Sequence, residues 1–192
     1  MDQNVPSNAS NKAILQPLPL NKMDERHHGL SHALAESYLE AARVSLDRHH
    51  ASPQEFTLND DNKESEVLVQ WDKSDERTKG AWANNDDATR DGAYACALAA
   101  TELSRDYFAV KRAEKLTGAD YYVAPNGAMV QDLENYYRLE VSGTNLDSSF
   151  VRTVLRNKVK QAQDGRSNLP ALAAVVGFKA RLIIIQTVGL EI

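Results

Sequence analysis

The sequence predicts an α+β or α/β protein built on a single mixed sheet with flanking helices, and three observations lead there. Hydrophobic residues make up 42% of the 192 residues and charged residues 26%, proportions that support a buried core. Apolar residues recur at helical spacing in some segments and as short runs of Val, Ile, Leu and Tyr in others. From about residue 88 these segments follow in the order α-β-β-β-α-β, with one further strand. The organisation expected is a flexible N-terminal arm over residues 1–25 and a single domain over residues 26–192, with its core at 88–188.

The arm is read from residues 1 to about 25, rich in Asn, Ser, Gln and Pro without periodicity. Leu30, Leu34, Tyr38, Ala41, Ala42 and Leu46 then predict a helix from Leu30 to about Arg48, ended by Pro53. Two short strands are expected at Phe56–Leu58 and Glu66–Trp71, with charged loops at Asn59–Glu64 and Asp72–Arg77. A second helix opens near Asp86, where Asp86 and Asp87 suit the positive end of the helix dipole, and runs to about Leu103. It is apolar on nearly every face and should lie centrally, packed under the sheet.

Strands are expected at Tyr107–Arg112, Ala119–Ala124 and Asn135–Ser142, with Pro125-Asn-Gly127 as a turn. Asp147 is the expected N-cap of a helix from about Ser149 to Gln163, closed by Gly165. Two last strands, Leu172–Val176 and Arg181–Thr187, complete the order. The apolar run Leu182–Ile185 is offered as an edge or face for a protein partner.

Composition narrows the function. Cys96 is the single cysteine, which excludes an internal disulfide framework and a multi-cysteine zinc site, and its apolar surroundings predict an inert thiol. The start lacks a basic and an apolar signal region, and no apolar run approaches the roughly 20 residues of a membrane-spanning helix. A cytoplasmic protein without a membrane partner is expected. Residues 1–105 hold 11 Lys and Arg against 18 Asp and Glu, a balance of −7, whereas residues 106–192 hold 11 against 9, a balance of +2. That distribution argues against a generic nucleic-acid coat and leaves room for a local basic site in the second half.

The chemistry-bearing pattern is Gly118-Ala-Asp120-Tyr-Tyr-Val, followed by Tyr137-Arg-Leu-Glu140-Val-Ser142. Each segment sets one carboxylate inside an otherwise apolar strand, where an ionised group costs several kcal/mol unless it is paired or bound to metal. Asp120 and Glu140 are therefore candidate ligands of a divalent cation, with Mg²⁺ as the expected cofactor. The alternative is structural: Asp120 capping a turn after Gly118, and Glu140 paired with Arg138 or Lys111 on a solvated face. Arg152, Arg156 and Lys160 recur at i, i+4, i+8 on the following helix with Lys158 beside them. This stripe is either a phosphate-contacting surface or a solvated helix face.

These two acids and the α-β-β-β-α-β order resemble the restriction-endonuclease-like, PD-(D/E)XK, superfamily over roughly residues 88–178. The resemblance implies a metal-dependent nuclease-like domain in which Asp120 and Glu140 are catalytic metal ligands. It also implies a lysine two residues after the second acid, where this chain carries Ser142. Lys111 and Lys158 are the candidates to replace it. The stretch from Trp82 to Ile185 further resembles small bacterial proteins encoded beside mobile-element or antiviral operons, which implies a role in defence. A catalytically inactive accessory subunit of a larger bacterial complex is the alternative.

Other patterns carry less. His28, His32 and Glu36 have a spacing acceptable to a transition metal, but His49-His50 lies about 30 Å further along a straight helix. Exposed or capping histidines are expected. Arg43 and His49 fit the Arg-x4–6-His pattern of the all-helical HEPN-type ribonucleases, a fold that the strand-rich second half argues against. Thr89 and Arg90, at a helix N-terminus, are candidates to hold an anion, against a capped loop with Trp82 docked on the core.

Overall fold

The structure, a computed structural model, describes residues 15–115, 117–127, 135–165 and 167–189. Among them a single mixed sheet of eight strands has the order β1-β3-β2-β8-β7-β6-β5-β4. The strands are β1 (Gln16–Pro17), β2 (Gln54–Asp60), β3 (Lys63–Val69), β4 (Tyr107–Arg112), β5 (Tyr121–Pro125), β6 (Tyr137–Thr144), β7 (Ala171–Gly177) and β8 (Leu182–Val188). The helices are α1 (Met23–Arg26), α2 (His32–Asp47), α3 (Glu76–Ala81), α4 (Asn85–Arg105) and α5 (Ser148–Gln163). No helix among the described residues is long and apolar enough to cross a membrane.

The α-β-β-β-α-β order is realised as α4-β4-β5-β6-α5-β7. Strands β4, β5 and β6 form an antiparallel meander, and α5 carries the chain across the sheet so that β7 lies parallel to β6. Every residue of β7 is buried, because the strand is covered on both faces. Leu172, Ala174 and Val176 face the larger core under α4 and α2, whereas Ala171, Ala173 and Val175 meet Val151, Leu155 and Ala162 of α5. Strand β8 repeats the pattern, with Ile183 and Ile185 on one side and Leu182 and Ile184 on the other.

Helix α4 is central because it is small. Its stretch from Gly92 through Thr101 is wholly buried, and five alanines there let the helix lie close to both α2 and the sheet. A Cβ at Gly92 would stand 2.7 Å from the Ala42 backbone nitrogen of α2. Asn84 caps α4 by accepting from the backbone N–H groups of Asp86 and Asp87. Cys96 lies in this layer, and burial pushes its thiol up to about 12.

Four expectations are corrected. Residues 15–25, read as part of a flexible arm, belong to the fold: β1 pairs with β3, and Leu18, Leu20 and Met23 are buried. Single apolar residues anchor this segment without periodicity, so pattern reading misses it; residues 1–14 lie outside the described residues. The charged stretch Asn59–Glu64 is the tip of a β2–β3 hairpin, with a two-residue turn of Asp61 and Asn62 at φ 46° and 68°. The charged stretch Asp72–Arg77 runs into α3, which Asp75 caps through the Thr78 N–H. Strand β8 lies between β7 and β2 with Leu182–Ile185 buried, so it supplies neither an edge nor a face to a partner.

His27 is the C-cap residue of α1, as expected of a histidine at a helix end, but it is buried rather than exposed. Its Nδ1 accepts from the Ala109 N–H at 3.0 Å, which leaves the proton on Nε2, 3.0 Å from Glu102 Oε2. Burial pulls its pKa below 6.5, with Arg26 and His28 adding to the shift and Glu102 opposing it. The unfolded chain therefore takes up a proton near pH 6.5 that the folded chain resists. The contribution of neutral His27 is complete above that pH and declines as pH falls below it. His27→Gln should flatten the dependence of urea-unfolding free energy on pH between 7.5 and 5; a slope equal to wild type would contradict the assignment.

Gly92→Ala tests the helix contact. Overpacking costs about 1–3 kcal/mol, against a helix-propensity gain of about 1 kcal/mol. The urea midpoint should fall with the m-value unchanged. A rise would mean that α2 and α4 are not in close approach.

Candidate functional site

The antiparallel register pairs Tyr121 with Leu139, which puts Asp120, one residue before β5, level with Glu140 on β6. Both carboxylates line one open cleft of about 940 Å³, bordered also by Arg112, Lys115, Lys160 and Asp164. The Asp120 N–H donates to the Leu139 carbonyl at 2.8 Å. Its carboxylate spans two elements: Oδ1 accepts from the Tyr94 hydroxyl of α4, and Oδ2 accepts from the Val141 N–H, each at 2.8 Å. Asp120 thus ties β5 to β6 and α4 rather than capping the turn after Gly118.

Glu140 is 3% exposed, and its partner on β7 is the small Ala173. Lys158 of α5 reaches down to it, Nζ standing 2.7 Å from Oε1 and 3.0 Å from Gln161 Oε1. Burial raises the Glu140 pKa above its ordinary value and the negative charge of Asp120 adds to the rise, while Lys158 and Arg138 oppose it. The ion pair is with Lys158 in the interior, not with Arg138 or Lys111 on a solvated face.

Arg138 does different work. It is buried and donates from Nη1 to the carbonyls of Thr117 and Ala162, at 2.8 and 2.9 Å, and from Nε to that of Leu169 at 3.0 Å. One guanidinium therefore fixes the turn before Asp120, the end of α5 and the approach to β7. A Cβ at Gly165 would come within 2.5 Å of Arg138 Nη1, so a side chain there would displace the anchor.

The remaining candidates separate. Lys111 is turned to the surface, where it pairs with Glu114, and it does not border the cleft. It alternates away from Arg112, which does. Lys160 borders the cleft; Arg152 and Arg156 are exposed on α5 toward its N-terminus and do not. Arg156 donates to Thr153 Oγ1. The first turns of α4 and the capped loop before it satisfy their own polar groups: Arg90 pairs with Asp87 and Asp91, Thr89 bonds Asn85 and Asn145, and Trp82 donates to Glu40. His32 pairs with Asp24, His49 bonds Asn145 and His50 bonds the Phe178 carbonyl, so the histidines do not converge.

Sequence reading missed the aromatic wall behind Asp120. Tyr38, Tyr94 and Tyr121 pack ring to ring and carry Arg112 above them. The available signal was a tyrosine on the buried face of an alanine-rich helix, since a buried hydroxyl needs a partner.

Among the described residues no three His, Cys, Asp or Glu side chains group to hold a metal by themselves. The pair Asp120 and Glu140 nevertheless fits a hard cation that keeps several waters. Each Asp120 oxygen retains a lone pair beyond its one hydrogen bond, Glu140 Oε2 is left after Lys158 takes Oε1, and the cleft is open to water. Comparison of the chain with protein-family models, with curated proteins and with solved structures finds no match.

Lys158→Met leaves Glu140 buried without its cation, at a cost of roughly 3 kcal/mol. A carboxyl whose folded pKa is raised loses stability as pH climbs from its unfolded value through the folded one. The variant's deficit should therefore be larger at pH 8 than at pH 5 in urea unfolding. An equal deficit at both would contradict the pairing.

Proposed function

We propose that this chain is a metal-dependent nuclease-like domain acting on nucleic acid in the cytoplasm, in the setting of bacterial antiviral defence. One observation carries the reading: Asp120 and Glu140 meet in an open cleft with Lys158 bonded to the second acid. In this reading the two carboxylates hold Mg²⁺, which supplies a lowered pKa to bound water and counter-charge to a phosphate oxygen. Tyr94 and the Val141 N–H fix the orientation of Asp120. Lys158 stands in for the lysine that the resemblance places where Ser142 is; it holds protons at Nζ and orients Glu140 through its bond to Oε1. Lys160 contacts phosphate at the cleft, with Arg156 and Arg152 extending that contact along α5.

A second reading, a binding subunit without catalysis, is favoured by a specific observation. Three of the four carboxylate oxygens already have protein partners, so the acids hold together without a metal. Leu146 and Phe150, 47% and 43% exposed at the start of α5, would then face a protein partner.

Incubation with DNA and RNA in Mg²⁺ or Mn²⁺ separates the two. Wild type should cleave, and Asp120→Ala/Glu140→Ala should lose at least about a hundredfold, since even outer-shell changes cost 10–100-fold. Asp120→Asn, which keeps an acceptor for Tyr94, should lose comparably. Inert wild-type protein with an intact thermal transition would sink the nuclease reading and favour the binding subunit.

A further inference from the structure

Arg112 ends β4 and is held in a way that packing alone does not require. Its Cζ lies 5.4 Å from the ring centroids of both Tyr94 and Tyr121. Nη1 donates to the Tyr38 hydroxyl and, at 3.4 Å, to that of Tyr121. Those hydroxyls are 2.9 Å apart, and the rings interlock, with Tyr38 and Tyr94 at 4.9 Å and Tyr94 and Tyr121 edge to face at 5.8 Å. Tyr94 continues the arrangement to Asp120. Among the described residues no carboxylate lies within ion-pair distance of Arg112, and its Nε and Nη2 have no protein acceptor there, although it borders the cleft.

A guanidinium in cation–π contact with two rings and clamped at one nitrogen has lost most of its rotamer freedom before any ligand arrives. What it retains is a planar set of N–H donors whose geometry matches two oxygens of a phosphate. The neighbouring cations decide between a small acid and a polyanion. Lys115 and Lys160 border the same cleft, and Arg156 follows Lys160 by one turn of α5. That succession suits a strand with repeated phosphates.

We propose that Arg112 is a fixed phosphate fork. It takes a phosphodiester phosphate of the nucleic-acid strand lying across Asp120 and Glu140, and it binds that phosphate without metal. The proposal rests on the nucleic-acid reading of the site and adds a residue that neither the carboxylates nor the α5 stripe supplies.

The test is fluorescence anisotropy with a labelled single-stranded oligonucleotide in EDTA, over a salt series, beside cleavage in Mg²⁺. Arg112→Gln should weaken binding about tenfold or more and lower the slope of log K against log salt by about 0.7, one phosphate's share for a single strand. Arg112→Lys keeps the charge but loses the fork, and should weaken binding several-fold with the slope retained. Tyr38→Phe removes the shorter of the two hydroxyl contacts that clamp Nη1 while leaving the cation, so affinity should drop with the slope unchanged. That variant decides the matter if Arg112 changes lower the thermal transition. Binding that needs Arg112 in a protein that cleaves nothing supports the fork and sinks the nuclease proposal. Cleavage with wild-type affinity and slope in both Arg112 variants does the reverse, and absence of oligonucleotide binding by wild type in EDTA overturns the fork.

Discussion

An ionisable carboxyl in the doubly covered part of a sheet is the constraint around which this molecule is arranged. Glu140 lies on β6, with Ala173 beside it on β7 and α5 packed above. Its ionised form is costly there, and Asp120 close by makes it costlier. Lys158 offsets that cost, and to do so α5 must lie across β6 and β7 with one turn fixed in rotation. The parallel crossover β6-α5-β7 meets that demand, because apolar residues of α5 seat on β7 and β8 while Lys158 reaches the acid.

The surrounding elements hold the acids in register rather than merely covering them. Arg138 gathers three carbonyls from three segments, so the turn before Asp120 cannot drift from the end of α5. Asp120 in turn links β5, β6 and α4. Gly92 lets α2 approach α4, and that approach brings Tyr38 to Tyr94 and to Arg112, which borders the cleft. The far half of the sheet, β8 through β1, contributes core and no cleft residue.

The fold is legible in the sequence where burial is two-sided or strongly periodic. Strands β7 and β8 announce themselves as apolar runs, and α4 as an alanine-rich helix with Asp86 and Asp87 in its first turn. The β2–β3 hairpin tip is illegible because its outer rungs from Asn59 to Glu64 are polar and charged, with Asn59 bonded to Glu64, and read as loop. Asp120 and Glu140 stand out as charges inside apolar strands, and Lys158 as one of two candidate cations. Sequence alone does not choose Lys158 over Lys111, because the choice depends on which way β4 faces. The tyrosine cage and Arg112 come from four elements, α2, α4, β4 and β5, that meet only in the folded chain, so no local pattern marks them.

The proposed nuclease chemistry requires Asp120 and Glu140 to act as one cation site. Titration of ¹³C-labelled protein with Mn²⁺ at sub-stoichiometric ratio, followed by carboxyl NMR, tests this directly. The side-chain carboxyl signals of Asp120 and Glu140 should broaden first and together, and excess Mg²⁺ should restore them. Broadening that begins at the Asp60–Asp61 hairpin, or spreads evenly over surface acids while these two stay sharp, would contradict it.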